Sequence, residues 1–216
     1  MKIKNNLLTN LSGQLGEEFI VSSYRGETYL RRKPKTVSLS LKLIEQGERI
    51  SAVAALWSAM KASGISRAWQ LEAERTGLVA YNMVVQVCQK AFDGQGAISD
   101  FGKLRLCTGK LQLPDHIVLK HDKTGGFEIS WEMNPGIFPH ADETDILVVA
   151  CMKSAKRFAI RIPDIGMFRR KDCRASFRQC ELPEGFPHLF CYFRSEDGKR
   201  WSESIYLTPQ PNLCCG

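Results

Sequence analysis

The chain has 216 residues, of which 44% are hydrophobic and 25% charged, and its formal net charge is +7. This composition is ordinary for a globular protein and does not predict intrinsic disorder, and the length suffices for one large domain or two smaller ones. No apolar run approaches the roughly 20 residues of a transmembrane helix, and polar residues interrupt the N-terminus where a signal peptide needs an apolar run. The sequence therefore predicts a cytoplasmic protein without membrane insertion.

The positive charge is concentrated in two segments. Residues 1–36 contain seven Lys or Arg and three Asp or Glu, whereas residues 153–180 contain nine and two. These segments contribute +4 and +7, so the remaining residues sum to −4. A concentrated charge forms a positive surface that selects its partners electrostatically.

Residues 18–33 alternate between apolar and polar side chains around Arg25-Gly26. This period of two predicts a β-hairpin with strands at residues 18–24 and 27–33. Pro34 ends the second strand because proline lacks the N–H that a sheet requires.

Residues 37–92 predict two amphipathic helices, because apolar residues recur there every three or four positions. Gly64 separates the two helices, Ser66 is the predicted N-cap of the second, and Gly94 marks its end. Gly77 lies inside the second pattern, so that helix either continues through it or begins beside it. The apolar faces comprise Ile50, Val53, Ala54, Trp57 and Met60, and Leu78, Tyr81, Val85, Cys88 and Phe92.

Beyond Gly102, short apolar stretches alternate with turn residues about every ten positions, which is typical of an antiparallel sandwich or barrel. Asp197-Gly198, between Phe193 and Trp201, is the strongest hairpin signal. The predicted strands span residues 103–107, 116–121, 127–132, 145–152, 156–162, 173–180, 188–195 and 200–207.

These elements predict an α+β protein with an N-terminal β-hairpin, two amphipathic helices and a C-terminal antiparallel β-sandwich of immunoglobulin-like or fibronectin-like type. The predicted division places the hairpin and the helical section in residues 1–100 and the sandwich in residues 101–216. One continuous domain is the alternative.

The eight cysteines include no Cys-x-x-Cys pair, which favours buried free thiols over zinc ligands. Cys214-Cys215 are predicted to be exposed, and their redox state stays open. His116 and His121 fall on opposite faces of one predicted strand, so they cannot bind one metal ion from that strand.

The remaining patterns do not indicate catalysis. Residues 140–145 carry three carboxylates but lack the alternating ligands of a calcium loop, so they predict a polar connection. No nucleophile motif or phosphate-binding loop occurs in the sequence. We therefore predict no enzyme, no cofactor and no metal site.

The basic residues of the second segment fall on defined strand faces. Arg157 and Arg161 share one face of their predicted strand, and Arg174 and Arg178 share one face of theirs. Such faces either neutralise the phosphates of a nucleic acid or keep the strands solvated and unpaired. The candidate anion or nucleic-acid surface comprises Arg25, Arg31, Arg32, Arg157, Arg161, Arg169, Arg170, Lys171, Arg174 and Arg178.

Short motifs at both ends and in the middle of the chain occur together in one protein family. They are Gly13-Gln14-Leu15-Gly16, Arg25-Gly26 followed by Arg31 and Pro34, Ile129-Ser130-Trp131, and Ser195-Glu196-Asp197-Gly198 followed by Ser202, Ser204 and Tyr206. Through these motifs the chain resembles a family of uncharacterised bacterial proteins common in the Bacteroidetes. The resemblance implies a hairpin, helices and a C-terminal sandwich, but no activity, cofactor or catalytic residue.

The leading functional prediction is a non-enzymatic protein-interaction or structural module whose partner is another protein or a second copy of the chain. The alternative is nucleic-acid binding through the strand face that carries Arg157, Arg161, Arg174 and Arg178. A third hypothesis is a hydrolase or transferase whose site is assembled from scattered residues.

Overall fold

The computed structural model describes residues 2–3, 12–24, 27–34, 39–121, 126–133, 141–153 and 158–208. These residues form an α+β protein with three helices and antiparallel sheets. The chain divides into an N-terminal unit (residues 1–41) and a C-terminal unit (residues 42–216). The sequence-based division at residue 100 instead groups the helices with the hairpin.

The N-terminal unit contains a four-stranded sheet in the order β1-β4-β3-β2. Its centre is the predicted hairpin, in which Phe19 pairs with Arg32 and Tyr24 with Glu27. Gly16 has φ +64°, a left-handed conformation that favours glycine, in the turn between β2 and β3. The strands are β1 (Lys2–Ile3), β2 (Gly13–Leu15), β3 (Phe19–Tyr24) and β4 (Glu27–Arg32).

The helical section consists of α1 (Leu41–Ser63), α2 (Ser66–Thr76) and α3 (Ala80–Cys88). Gly64 has φ +80°, and this left-handed residue separates α1 from α2 as predicted. The prediction of a single helix after Gly64 is wrong, because two helices, α2 and α3, follow it. Gly77, with φ +71°, ends α2 and donates its N–H to the Ala73 carbonyl at 2.8 Å.

The predicted N-cap of α2 is also wrong. Ser66 is the first residue of the helix, Ile65 occupies the cap position, and no side chain caps that end. The main chain of Ile65 is already in the right-handed helical region, with φ −63° and ψ −26°, because it belongs to the tight turn from α1. No helix of the described residues has the length and apolar character needed to cross a bilayer.

The C-terminal unit adds two antiparallel sheets. One has the order β5-β6-β9 and the other the order β11-β10-β7-β8. The predicted strand at residues 103–107 is absent from the structure, since a short 3-10 helix (Phe101–Lys103) leads into a non-strand segment. The observed strands are β5 (Asp115–His121), β6 (Gly126–Glu132), β7 (Ile146–Lys153), β8 (Ala159–Arg161), β9 (Arg174–Arg178), β10 (His188–Arg194) and β11 (Ile205–Leu207).

The four-stranded sheet of the C-terminal unit is covered on both faces, because alternate residues of its central strands β7 and β10 belong to two different core clusters. Val149 on β7 and Cys191 on β10 pack with residues of the three-stranded sheet. Met152 on β7 and Phe190 on β10 pack with residues of the helices. This double coverage explains why β7 and β10 are nearly continuous runs of apolar residues.

Six cysteines lie in the described residues, and all of them are free thiols. Cys88, Cys107, Cys151 and Cys191 are buried, as their apolar surroundings in the sequence predict, whereas Cys180 is exposed. Burial raises the pKa of the Cys88 thiol to about 11, which disfavours the reactive thiolate. The predicted exposed pair Cys214-Cys215 lies outside the described residues.

Candidate ligand-binding cavity

The arginines of β9 occupy the predicted face. Arg174 and Arg178 are exposed, whereas Ala175 and Phe177 between them are buried. Neither arginine side chain forms an ion pair with a residue in the described ranges. The strand period was therefore sufficient to predict this local surface.

Arg161 is exposed on β8, which belongs to the other C-terminal sheet. Its guanidinium carbon lies 5.4 Å from the centre of the Phe186 ring, a cation–π contact. Arg31 and Arg32 are exposed on β4 of the N-terminal unit, where Arg32 pairs with Glu18 at 3.5 Å. The predicted Arg25 and Arg157 lie outside the described residues.

Arg170 is not a surface residue, which corrects its assignment to the candidate anion surface. Its side chain is only 3% exposed, and its Nε donates to Asp145 Oδ2 at 3.1 Å. Its Nη2 donates to the Gln112 carbonyl at 2.5 Å, and its carbonyl accepts the indole N–H of Trp131 at 2.8 Å. The adjacent Arg-Arg-Lys run thus mixes a buried structural cation with surface cations.

The two neighbours of Arg170 face solvent to different degrees. Arg169 is partly exposed and pairs with Glu196 at 3.0 Å, whereas Lys171 is exposed. Asp145, in the predicted polar connection, supplies the buried carboxylate for Arg170. The acidic stretch therefore serves as an anchor within the fold, and its His140 lies outside the described residues.

An apolar cavity of about 850 Å³ opens at one end of the core shared by the two sheets. Its inner wall consists of core residues: Phe127 from β6, Leu189 from β10 and Leu207 from β11. This space, which we call the apolar cavity, is also lined by His121, Gln179, Cys180, Leu182, Pro183, Glu184, Gly185, Phe186 and Pro187.

Local structure fixes the mouth of the apolar cavity. After β9, the Glu181 carboxylate accepts the main-chain N–H of Arg178 at 2.7 Å and closes a short 3-10 helix. The following Pro183, Gly185 and Pro187 favour an irregular connection, in which Gly185 has φ +76°. This connection carries Phe186 to the mouth, where Arg161 stacks against its ring.

Four polar side chains line the apolar cavity, those of His121, Gln179, Cys180 and Glu184. The His121 ring packs against Phe127 with ring centres 4.5 Å apart. Cys180 supplies an exposed thiol, and Glu184 supplies a carboxylate. Phe127 in turn stacks on Phe177 at 5.6 Å, so the wall continues into the aromatic part of the core.

Among the described residues, His116 and His121 do not come together with a third metal ligand. The pairing of β5 with β6 is irregular between Asp115 and Val118, and His116 has φ +51°. His121 points into the apolar cavity against Phe127. Across the described residues, no group of three or more His, Cys, Asp or Glu is arranged to bind a metal ion.

Sequence reasoning missed the apolar cavity because its lining comes from distant parts of the chain, from His121 to Leu207. The available signal was the Pro183-Glu184-Gly185-Phe186-Pro187 stretch, which indicates a connection that cannot extend a strand. Such a connection leaves Phe186, which lies between Pro183 and Pro187, partly exposed. That signal identifies the mouth but not the space behind it.

Comparisons with models of protein families, with curated proteins and with solved structures found no match for this chain.

Proposed function

We propose that this protein is a non-enzymatic binding module whose apolar cavity takes an uncharged, largely apolar small molecule. One observation carries the proposal: beside the core between the two sheets lies an open space whose lining includes the partly exposed apolar side chains of Leu182 and Phe186. Apolar surface that remains accessible to water favours association with an apolar ligand.

The size and chemistry of the apolar cavity support this ligand class. Its volume of about 850 Å³ lies within the range of about 300–1,000 Å³ that is typical of small-molecule sites. Among the lining residues, Glu184 is the carboxylate and His121 the imidazole, so the wall concentrates neither charge sign.

The arrangement of Cys180 and His121 supports binding without catalysis. Both residues line the apolar cavity, but in the described residues no hydrogen bond joins them. A cysteine nucleophile is activated by a base within hydrogen-bond distance. The His121 ring instead packs against Phe127.

We also infer that the two sheets form a sandwich of fibronectin-like type. Counted from β5, the first, second and fifth strands form one sheet, and the fourth, third, sixth and seventh form the other. In constant immunoglobulin domains the fourth strand lies beside the fifth. The position of β8 beside β7 therefore supports the fibronectin-like arrangement, which an experimental structure would test.

Several sequence-based expectations stay predictions beside this proposal. They are a protein partner, a cytoplasmic location and membership of the Bacteroidetes family. The apolar cavity supports a binding role of the kind that such a module would have. A small ligand fits its concave, partly open shape better than a flat protein surface does.

The test is titration of the full chain with N-phenyl-1-naphthylamine, an uncharged apolar probe whose fluorescence rises in apolar surroundings. We expect saturable binding of one probe per chain. Leu182→Glu places a carboxylate in the cavity wall and should weaken binding about tenfold or more. The matched control is Leu78→Glu, because Leu78 is 56% exposed and lies outside the cavity.

A second readout protects the test against misfolding of the variant. Bound probe should slow alkylation of Cys180 in a chain whose Cys214 and Cys215 are replaced by Ser. Absence of saturable probe binding to the wild type overturns the proposal. Equal binding by Leu182→Glu and Leu78→Glu also overturns it, because the probe would then bind elsewhere.

Nucleic-acid binding is a second candidate function, favoured by the exposed Arg174 and Arg178 on one face of β9. It predicts binding of generic DNA that weakens steeply as salt concentration rises. Arg174→Ser/Arg178→Ser should remove most of that binding while leaving the naphthylamine titration unchanged. Absence of DNA binding by the wild type at low ionic strength excludes this candidate.

A further inference from the structure

Four cationic side chains from three separate segments line one small pocket. Arg75 comes from the last turn of α2, Lys110 from the segment before β5, and Lys199 and Arg200 from the hairpin after β10. The pocket, which we call the basic pocket, has a volume of about 230 Å³. Its lining also includes Ala68, Leu71, Glu72, Thr108, Gly109 and Trp201.

The walls of the basic pocket are held together by main-chain contacts. The N–H of Leu111 donates to the carbonyl of Trp201 at 3.0 Å, and Leu111 bridges to Ser202. Gly109 packs so closely that a Cβ at this position would lie 2.0 Å from the Trp201 carbonyl oxygen. Glycine therefore permits Lys110 to sit beside Lys199 and Arg200.

The hairpin that carries Lys199 and Arg200 is fixed as well. The N–H of Ser195 donates to the Arg200 carbonyl at 2.9 Å, and the N–H of Arg200 donates to Ser195 Oγ at 2.9 Å. Gly198 has φ +68° in this Asp197-Gly198 turn. The two cations are therefore presented by a constrained turn, which lowers the entropy lost on binding.

One carboxylate in the lining, that of Glu72, compensates part of this positive charge, and it interacts electrostatically with both Arg75 and Lys110. Glu72 is the carboxylate in the lining, and its two oxygens accept hydrogen bonds from Arg75. Lys110, Lys199 and Arg200 form no ion pair with any residue in the described ranges. Four cations and one carboxylate give the pocket a formal charge of +3.

Two further carboxylates, those of Asp197 and Asp142, lie near Arg200. Asp197 accepts the Ser195 hydroxyl at 2.5 Å and the Lys199 N–H at 3.0 Å. Asp142 accepts the N–H and the hydroxyl of Thr144, each at 3.0 Å. These bonds hold both carboxylates in local turns outside the pocket lining, from where their charges offset part of the positive charge of Lys199 and Arg200.

We propose that the basic pocket binds the phosphoryl group of a small phosphorylated molecule. Guanidinium and ammonium groups form strong charge-assisted hydrogen bonds with phosphate oxygens, and Lys110, Lys199 and Arg200 are available for them. The Thr108 hydroxyl adds a neutral donor to the same lining. A concave space of about 230 Å³ suits one compact anion better than an extended strand of nucleic acid.

This site goes beyond the proposed function and is independent of it. The basic pocket and the apolar cavity share no lining residue, and they differ in charge and in size. Absence of phosphate binding would therefore not contradict the proposed apolar ligand, and absence of apolar-ligand binding would not contradict the proposed phosphate site.

The experiment is calorimetric titration of the full chain with inorganic phosphate and with pyrophosphate at low ionic strength. We expect one anion per chain, and tighter binding of pyrophosphate because it carries more charge. Lys110→Gln/Arg200→Gln should weaken binding about tenfold or more, since it removes two charge-assisted contacts. Both side chains are exposed, so the fold should tolerate the change.

The matched control is Lys42→Gln/Lys61→Gln, which removes the same charge from two exposed positions on α1. It should bind both anions as the wild type does. Undetectable binding of both anions by the wild type overturns the proposal, as does an equal loss in both double variants. Binding of a short single-stranded DNA through Lys110 and Arg200, with no binding of either anion, also overturns it.

Discussion

The guanidinium of Arg170 is enclosed between a carboxylate and an aromatic ring. Its Nε lies 3.1 Å from Asp145 Oδ2, and its Cζ lies 4.8 Å from the centre of the Phe193 ring. Burial lowers the pKa of Arg170, and the charge of Asp145 opposes that effect. Arg170 Nη1 and Asp145 Oδ1 have no hydrogen-bond partner among the described residues, so the pair is incompletely satisfied.

Removal of one partner should be costly because the other charge then stays buried without compensation. We expect Arg170→Met to lower the free energy of unfolding by about 3–5 kcal/mol. Urea denaturation measures this loss, and the adjacent exposed Lys171→Met should change stability by less than about 0.5 kcal/mol.

The double variant Asp145→Leu/Arg170→Met distinguishes the ion pair from simple packing. It buries no charge, so it should recover part of the stability that Arg170→Met loses. A double variant as unstable as the sum of the two single variants would contradict this account of the pair.

His188 supplies a pH-dependent contribution to stability. Its ring stacks on Phe101 with centres 3.8 Å apart, and its Nδ1 lies 3.2 Å from the Tyr206 hydroxyl. Burial lowers the pKa of His188 below its ordinary value because the neutral ring is favoured. The unfolded chain therefore takes up a proton at higher pH than the folded chain does.

The sign of the effect follows from that order of protonation. Stability should fall as pH decreases through the ordinary imidazole range, from about pH 7 to about pH 5, and this contribution stays constant below the folded-state pKa. His188→Gln should reduce the difference between unfolding free energies at pH 7.5 and pH 5.5. His121→Gln is the control, and an equal reduction in both variants would contradict the role of His188.

The segment at residues 103–107 has the alternating sequence pattern of a strand but does not form one. Leu104 and Leu106 alternate with polar neighbours, which predicts a strand, and both are fully buried. Their side chains pack into the core cluster that includes the helices. The Leu106 N–H donates to Ser204 Oγ at 2.7 Å, so a side-chain acceptor provides what a neighbouring strand would otherwise provide.

Other element predictions succeeded because their signals were local. Turn residues and apolar period located the strands of both C-terminal sheets to within three residues, except that β11 begins five residues later than predicted, and Gly64 located the break after α1. Gly77 shows where local signals fail. A glycine within a helical pattern is compatible both with a helix that continues through it and with a helix that ends there. The choice depends on whether its φ is positive, which neighbouring packing decides.

The Ser204 hydroxyl should stabilise the segment at residues 103–107, because it accepts the Leu106 N–H. Ser204→Ala leaves the buried Leu106 N–H without its acceptor and should lower the free energy of unfolding by about 1–3 kcal/mol. Chemical denaturation measures the loss. Ser176→Ala on the exposed face of β9 is the matched control and should be nearly neutral. Equal stability of the two variants would show that the Ser204 hydroxyl is not needed there.

At the scale of the whole molecule, topology decides which charges meet. Arg161 and Arg174 are close in sequence and both lie on exposed strand faces, yet they belong to different sheets. Lys110 and Arg200 lie outside both basic segments of the sequence and line one pocket. Charge counting along the chain predicts local faces but not clusters, because a cluster depends on which distant segments pack together.

Topology also predicts which parts of the chain fold together. Removal of the helices would expose a face of the four-stranded sheet that carries Ala150, Met152, Phe190 and Tyr192, all of them buried. An exposed apolar patch of this kind favours aggregation. We therefore expect a fragment of residues 101–216 to aggregate or remain unfolded.

A fragment of residues 39–216 retains the helices and should stay monomeric, with one cooperative unfolding transition. Size-exclusion chromatography measures the oligomeric state, and tryptophan fluorescence in urea measures cooperativity. The urea transitions of this fragment followed by tryptophan fluorescence and by far-UV circular dichroism should coincide, because one cooperative transition changes both signals together. A monomeric, cooperatively folding fragment of residues 101–216 would contradict this expectation and support a domain boundary at residue 100.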